Sequence, residues 1–463
     1  DVLGLTNSLV KKSLIVVKQA TGRETRYRFH EIVRQYVRRK LNESGEESNI
    51  RNRHLKYFLD LSEQIEYGLN APDHTDWFVR TSADRDNIRT ALEHALSVDV
   101  EAGLYISGRL QSFWEIRDHR EGEHWLAEFL QKPDSKEYPS ARAKALLALG
   151  WLLAGHQQFS QTKAIAQECL DLYRECKDQQ GEIDALLLLG YALQLLDERE
   201  TANELYEQSL TLARSIGYIH GQAAALFRLG SDRPSVQLSY WDEAIDLYRK
   251  AGDHYSLVIL LYFAARFHVV LTGSIVKAKK YIDEASQLFP STSMSQAGFL
   301  AGMANSMVAV IEGNYEEADS QLQKVIKFSN ESGYRMIHLW ARAYLGHVAL
   351  SAGNLTEARH IFTETALSFQ EDQNTIGVVY MLEGMASIYV AVSKPKLAAQ
   401  LIGWADATRE RIINERPFLE QADVDKNIAA VMSKIGSSAF EVAYDDGRGM
   451  TMDEAVELAL GEN

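Results

Sequence analysis

The side chains best suited to chemistry are sparse in this chain and poorly spaced for it. Thirteen histidines are scattered along 463 residues. The densest acid–imidazole group is His119, Glu121, Glu123 and His124. Two histidines that share a metal ion on one helix favour a four-residue spacing, and these are five apart. The acidic pairs Glu316/Glu317 and Asp445/Asp446 read as helix starts or turns, where carboxylates answer the helix dipole. Cys169 and Cys176 are seven apart on one helix, about 10.5 Å along its axis, which reads as two small core residues beyond disulfide reach. No GxxxxGK[ST] phosphate loop, HExxH or GxSxG elbow occurs. The chain is therefore expected to act neither as an enzyme on its own nor through a bound metal.

Basic side chains offer a second chemistry. Residues 1–60 hold 13 Lys/Arg against 7 Asp/Glu, a balance of +6, and the remaining 403 hold 36 against 57, or −21. Arg34, Arg38, Arg39 and Lys40 lie on one predicted helix whose stripe is Ile32, Val33, Tyr36, Val37 and Leu41. Before it come an amphipathic helix, a strand over 13–17, a turn at Gly22 and a strand over 26–29. That order reads as a winged-helix fragment over 1–45, followed by a polar linker over 42–49. The basic helix could hold DNA phosphates. The reading preferred is an internal surface facing a part of the protein outside this chain, with no DNA contact.

The elements that must position everything else are repeats. Gly150, Gly190 and Gly230 are 40 apart, as are Ala278, Ala318, Ala358 and Ala398. Ala244 and Ala202 continue the series with steps of 34 and 42, and Thr162 stands at the first position. A bulky residue follows four places later at Tyr206, Tyr248, Ile282, Leu322, Phe362 and Ile402, whereas Ala166 breaks the rule. Small residues late in one helix and early in the next let two backbones approach, and the large residue fills the gap beneath the next hairpin. A single hairpin cannot bury its apolar face, so neighbours stack. The expected fold is an all-α helical-hairpin solenoid of about seven units over 140–408. It follows a helical connector over 50–135 bounded by residues 70–74, and precedes a helical cap over 409–463 around Pro417. Composition agrees: 46% hydrophobic and 24% charged residues exclude global disorder. No apolar run of 18 predicts a membrane span. The chain opens without Met or a signal peptide, which suggests a piece of a longer cytoplasmic protein.

Gly190–Ala202–Tyr206 and Gly346–Ala358–Phe362 resemble the tetratricopeptide pattern, although the 40-residue period exceeds the usual 34 and implies longer helices or loops. RYRFHEIVRQYVRRKL resembles the end of the winged-helix subdomain of NB-ARC/STAND signalling ATPases, with Phe29, His30 and Glu31 at that family's Met-His-Asp-like motif. The resemblance implies that His30 touches the phosphate of bound ADP, and only together with an upstream ATPase core, which this chain lacks. Asn87, Arg89, Ala91, Leu92, Trp114, Arg117, Glu121, Gly122, Trp125 and Leu126 are similar to the linker helices of bacterial STAND transcriptional regulators. Gly403, Phe440, Ala443, Gly447, Arg448, Thr451, Glu454 and Ala455 look like their tail. The implied role is the sensor of a regulator whose parent binds ADP or ATP, with oligomerisation on activation. This chain itself is expected to hold no cofactor.

Register along the first helix of each hairpin marks a candidate groove. Trp151, Tyr191, Phe227, Phe263, Phe267, Trp340, Arg342, His347 and Tyr380 would line it, with Arg266, Arg342 or His347 as polar anchors for a protein, peptide or small-molecule inducer. Packing between repeats is the competing reading of the same residues. A constitutive protein-binding scaffold is the competing function.

Overall fold

The hairpins owe their regularity to one local device, repeated about every 20 residues. Lys177, Asp197, Gly217, Gly353, Gln373 and Ser393 all take positive φ, between 53° and 83°, one or two residues after a helix ends. The next amide then folds back onto the helix. The N–H of Asp178 donates to the carbonyl of Tyr173 at 3.0 Å, Glu198 to Leu193 at 2.9 Å, and Asn374 to Phe369 at 2.8 Å. This left-handed cap stops each helix and starts its partner within three residues. The computed structural model describes residues 2–19, 25–69, 74–156, 158–232, 237–272, 275–288, 296–332, 335–412, 414, 416 and 418–461. Its fold is all-α with tetratricopeptide-like hairpins, plus a single two-stranded sheet among the described residues. The chain divides into two compact units, 1–212 and 213–463.

The first unit opens with α1 (Val2–Lys11), β1 (Ile15–Gln19), β2 (Thr25–Phe29) and α2 (Glu31–Ser44). The strands pair antiparallel in the register Ile15↔Phe29 to Gln19↔Thr25. β1 begins two residues later than the apolar run suggests, because Ser13 takes φ 54° and its N–H closes the end of α1 on Val10. The polar stretch 42–49 is not a linker. α2 runs to Ser44, Gly45 caps it at φ 76°, and α3 (Glu47–Leu69) starts at once. The expected turn at Gly22, the boundary residues 70–73 and Pro417 lie outside the described residues. After α3 come α4 (His74–Ala83), α5 (Arg85–Val98), α6 (Val100–Arg109), α7 (Gln111–Arg117) and α8 (His119–Leu130). They share one core with Leu92, Phe113, Trp114 and Phe129 at its centre. Two hairpins complete the unit: α9 (Pro139–Gly155) with α10 (Phe159–Cys176), and α11 (Gln179–Leu195) with α12 (Arg199–Ile216).

In the second unit α13 (Ile219–Asp232) pairs with α14 (Gln237–Ala251), α15 (His254–Thr272) with α16 (Ile275–Leu288), and α17 (Gln296–Ile311) with α18 (Tyr315–Ser332). α19 (Arg335–Ser351) pairs with α20 (Leu355–Glu371), and α21 (Thr375–Ala391) with α22 (Pro395–Arg411). Three helices follow: α23 (Phe418–Ile435), α24 (Ser437–Arg448) and α25 (Met452–Leu460). The 40-residue period comes from helices of 17 or 18 residues, as in α11 and α12. The short 34-residue step arises where α14 ends seven residues after Ala244, about two turns early.

The small-to-large spacing works inside one hairpin before it works between hairpins. A Cβ on Gly190 would lie 2.5 Å from the Tyr206 ring, and one on Gly346 the same distance from Phe362. The bulky residue therefore fills the notch at its own hairpin's glycine, and Phe362 also reaches Gly384 of the next. Fully burying such a ring stabilises the hairpin by about 1.5–3 kcal/mol. Among the described residues no helix is long and apolar enough to cross a membrane.

Candidate functional site

The residues marked by register fall into three groups. Trp151 and Tyr191, on successive first helices α9 and α11, stack with ring centroids 5.6 Å apart. In the second unit Phe227 and Phe263 lie 5.5 Å apart, and both edge onto Trp241, as does Phe267 at 5.1 Å. Trp241 is buried and its Nε1 donates to the Phe227 carbonyl at 2.9 Å. It sits on the second helix of its hairpin, so a search along first helices passes over it.

The third group is the most concentrated. Trp340 and Tyr380 lie 5.8 Å apart, Tyr344 and Tyr380 5.9 Å, and His347 and Tyr380 4.3 Å. The Arg266 guanidinium arrives from α15, 4.5 Å from the centre of the Phe267 ring, and donates to the Tyr344 hydroxyl. Tyr344, three residues before His347 on α19, was missed because it lies two places before Gly346, off the register positions read along each first helix. Arg342 does not join the group. It is two residues from Trp340, about 200° around the helix, and reaches out to pair with Glu364 on α20.

One side of this cleft is closed by α23, which packs against both α15 and α21. Val424, Ile428 and Val431 form its apolar face in the shared core. Asn427 donates to Ser387 at 2.8 Å and Lys434 to the Val390 carbonyl at 3.1 Å. Beside the cleft lies a buried ionic network. Glu383 accepts from Arg409 through both oxygens at 2.9 Å and from Arg416 at 2.7 Å, and Arg416 also reaches Asp406. Burial alone would raise the Glu383 carboxyl, but the two arginines outweigh it and hold the group below its ordinary range. Glu420, on α23, receives Arg409 at 3.2 Å. Burial and the charge of Glu383 push it up to about 7. Burial pushes His347 down to about 4, partly offset by nearby carboxylates and a hydrogen bond with the Tyr380 backbone.

Other residues singled out in the sequence take structural places. His30 caps α2, is exposed, and makes no capping hydrogen bond. The α2 stripe has no buried residue, and Ile32 is 83% exposed. Arg34 pairs with Glu31 at 2.9 Å, and Arg39 and Lys40 pair with Glu43. Arg89 grips Glu121 at 2.5 and 3.0 Å, and a Cβ on Gly122 would meet Trp114 at 2.6 Å. Gly403 and Gly447 let α22 and α24 touch backbone to backbone, since added carbons would lie 2.1 and 2.0 Å from carbonyl oxygens. His119 faces His156 at 5.0 Å, and His156 pairs with Glu123 at 2.8 Å. Among the described residues no three His, Cys, Asp or Glu side chains are placed to hold a metal ion. Asp445 and Asp446 lie in the last turns of α24, not at a helix start.

No protein-family model matches. Three proteins named HTH-type transcriptional regulator, one from Mycobacterium bovis and two from strains of Mycobacterium tuberculosis, are 29% identical over 414 residues. The match covers 83% of this chain and 44% of theirs, so the chain spans less than half the length of these relatives. Among solved structures, a Signal Transduction ATPase with Numerous Domains (STAND) protein with a tetratricopeptide repeat sensor, from Pyrococcus horikoshii, is 15% identical. It matches over 95% of this chain and 60% of its own, with a TM-score of 0.48. The Cut9–Hcn1 hetero-tetramer of the APC/C is also 15% identical, over 81% of this chain and 73% of its own, with a TM-score of 0.40.

Proposed function

We propose that this chain is the sensing and regulatory region of a STAND-type signalling ATPase that controls transcription. The repeats of 213–463 bind an inducer, and the N-terminal module relays that event to a nucleotide site elsewhere in the protein. The observation that carries the reading is the inner cleft of α15, α19 and α21. Its aromatic side chains keep some accessible surface, while most neighbours on the same helices are buried. Stacked hairpins that only packed on one another would bury this strip. The relatives named as transcriptional regulators support the regulatory context. The uncovered, basic-rimmed stripe of α2 supplies a surface for the relay. In this reading His30 contacts the phosphate of ADP in the inactive state, and the inducer acts by preferring the open, ATP-bound state.

Two measurements on the full-length protein test it. Truncation after residue 138 leaves transcriptional output either constitutive or silent; a truncated protein that still follows its inducer overturns the reading. His30→Ala shortens ADP retention, and unchanged retention removes His30 from the mechanism. A partner that binds the repeats with the same affinity in ADP- and ATP-loaded protein points instead to a constitutive scaffold.

A further inference from the structure

The cleft carries more chemistry than a generic groove. Arg266, Phe267, Trp340, Tyr344, His347 and Tyr380 all retain partial accessibility beside buried neighbours on the same helices. Two of these side chains carry a nitrogen without a hydrogen-bond partner among the described residues. The Nε of Arg266 is buried with no hydrogen-bond partner, and so is Nε2 of His347. Arg409 and Arg416 nearby are matched by Glu383, Asp406 and Glu420, but no described carboxylate forms an ion pair with Arg266. A guanidinium cannot shed its proton to escape burial, so it calls for an anion.

The imidazole has the opposite need. His347 is hydrogen-bonded to the Tyr380 backbone. Taken with Nδ1 as the protonated nitrogen, the ring presents Nε2, which has no hydrogen-bond partner among the described residues. Burial keeps the ring neutral, which leaves a bare acceptor at Nε2. The Tyr380 ring lies 4.3 Å from His347 and 5.8 Å from Trp340, and Tyr344, which accepts from Arg266, lies 5.9 Å from Tyr380.

We propose that the cleft between α15, α19, α21 and α23 binds a small aromatic carboxylate bearing a hydroxyl or N–H donor, with its carboxylate on Arg266 and its donor on His347 Nε2. The ligand ring lies among Trp340, Tyr344 and Tyr380. This deepens the sensor reading and rests on it. Glu420, on the helix that closes the cleft, shares a field with Arg266. A bound carboxylate competes for that positive charge, which links occupancy to the seat of α23.

The test is calorimetric titration of the whole chain with 4-hydroxyphenylacetate, phenylacetate and 4-hydroxyphenylacetamide at millimolar ligand. The hydroxy acid binds tightest. The amide is weaker by about 10- to 100-fold, the size of a charge-assisted hydrogen bond, and loss of the hydroxyl costs about 3- to 10-fold. Arg266→Gln removes the preference for the acid over the amide, while Arg335→Gln, on an exposed ion pair, leaves all three affinities unchanged. Thermal melts of each variant separate lost binding from lost folding, and Arg266→Lys, which keeps the charge, retains part of the acid preference. Equal binding of acid and amide, an acid preference that survives Arg266→Gln, or no binding of any of the three overturns the proposal. If none binds but Tyr380→Ala in the full-length protein abolishes its response to inducer, the ligand class falls and the sensor reading stands.

Discussion

The two units bury titratable groups in parallel, and they differ in what is left over. In residues 1–212, burial pushes Glu115 up to about 7, and burial with the neighbouring His156 pushes His119 down to about 4. In residues 213–463, burial and Glu383 push Glu420 up to about 7, and burial pushes His347 down to about 4. Each unit thus holds a carboxyl and an imidazole that lower their cost by becoming neutral. The arginines separate the two. In the first unit Arg85 and Arg89 are matched by Asp118 and Glu121. In the second, a dense network matches Arg409 and Arg416 but stops short of Arg266. Neutralisation is open to groups that can move a proton, and a guanidinium must find a partner instead. An arginine without an ion pair among the described residues is therefore a stronger pointer to a ligand than either shifted group.

The largest test of this contrast is Glu383→Ala, which removes the carboxylate shared by Arg409 and Arg416 and leaves them only Glu420 and Asp406 in a buried site. A loss of about 3–5 kcal/mol is expected in urea unfolding. A loss below 1 kcal/mol would mean that water reaches the network freely. Gly403→Ala comes next. Its new carbon meets the Tyr444 carbonyl rather than a movable side chain, so α22 and α24 must separate at a cost of about 1–3 kcal/mol.

Titration gives a comparable effect with a sign. Glu420 has its folded value raised from 4.5 to about 7. Its contribution to stability is full below pH 4.5 and is lost as pH rises through 7. His347 has its folded value lowered from 6.5 to about 4. Its contribution is full above pH 6.5 and is lost as pH falls through 4. The two slopes oppose each other in the native chain. Glu420→Gln should therefore gain stability relative to the native chain between pH 5 and pH 8, on the order of 1–3 kcal/mol. His347→Gln should gain relative to the native chain as pH falls from 6.5 to 4. Parallel pH profiles for both variants would show that these groups do not titrate as their burial implies. The smallest effect is expected for Arg342→Gln, which breaks only a surface pair with Glu364, at about 0–1 kcal/mol. A larger loss would return Arg342 to the cleft.

Much of the architecture was legible because it is local. Gly190, Ala202 and Tyr206 meet within one hairpin, so their spacing along the chain is already a statement about contact. The caps every 20 residues, which set helix length, went unread because Lys177, Asp197, Gln373 and Ser393 take a left-handed conformation that their residue types do not advertise. The polar stretch 42–49 misled because two helix ends placed back to back have the composition of a linker. Arg342 misled because it was taken as a polar anchor for its charge, whereas its place around the helix turns it to Glu364.

Sequence by itself determined that hairpins form and stack, since small and large residues at fixed spacing close each notch whatever lies further along the chain. It also marked Trp340, His347 and Tyr380 as sharing a face. Only the tertiary structure decided that Arg266 reaches Tyr344, 78 residues away, and that α23 returns to cover α15 and α21 together. Those meetings depend on the angle at which successive hairpins stack. Small rotations at each interface accumulate over several repeats, and no local periodicity encodes their sum.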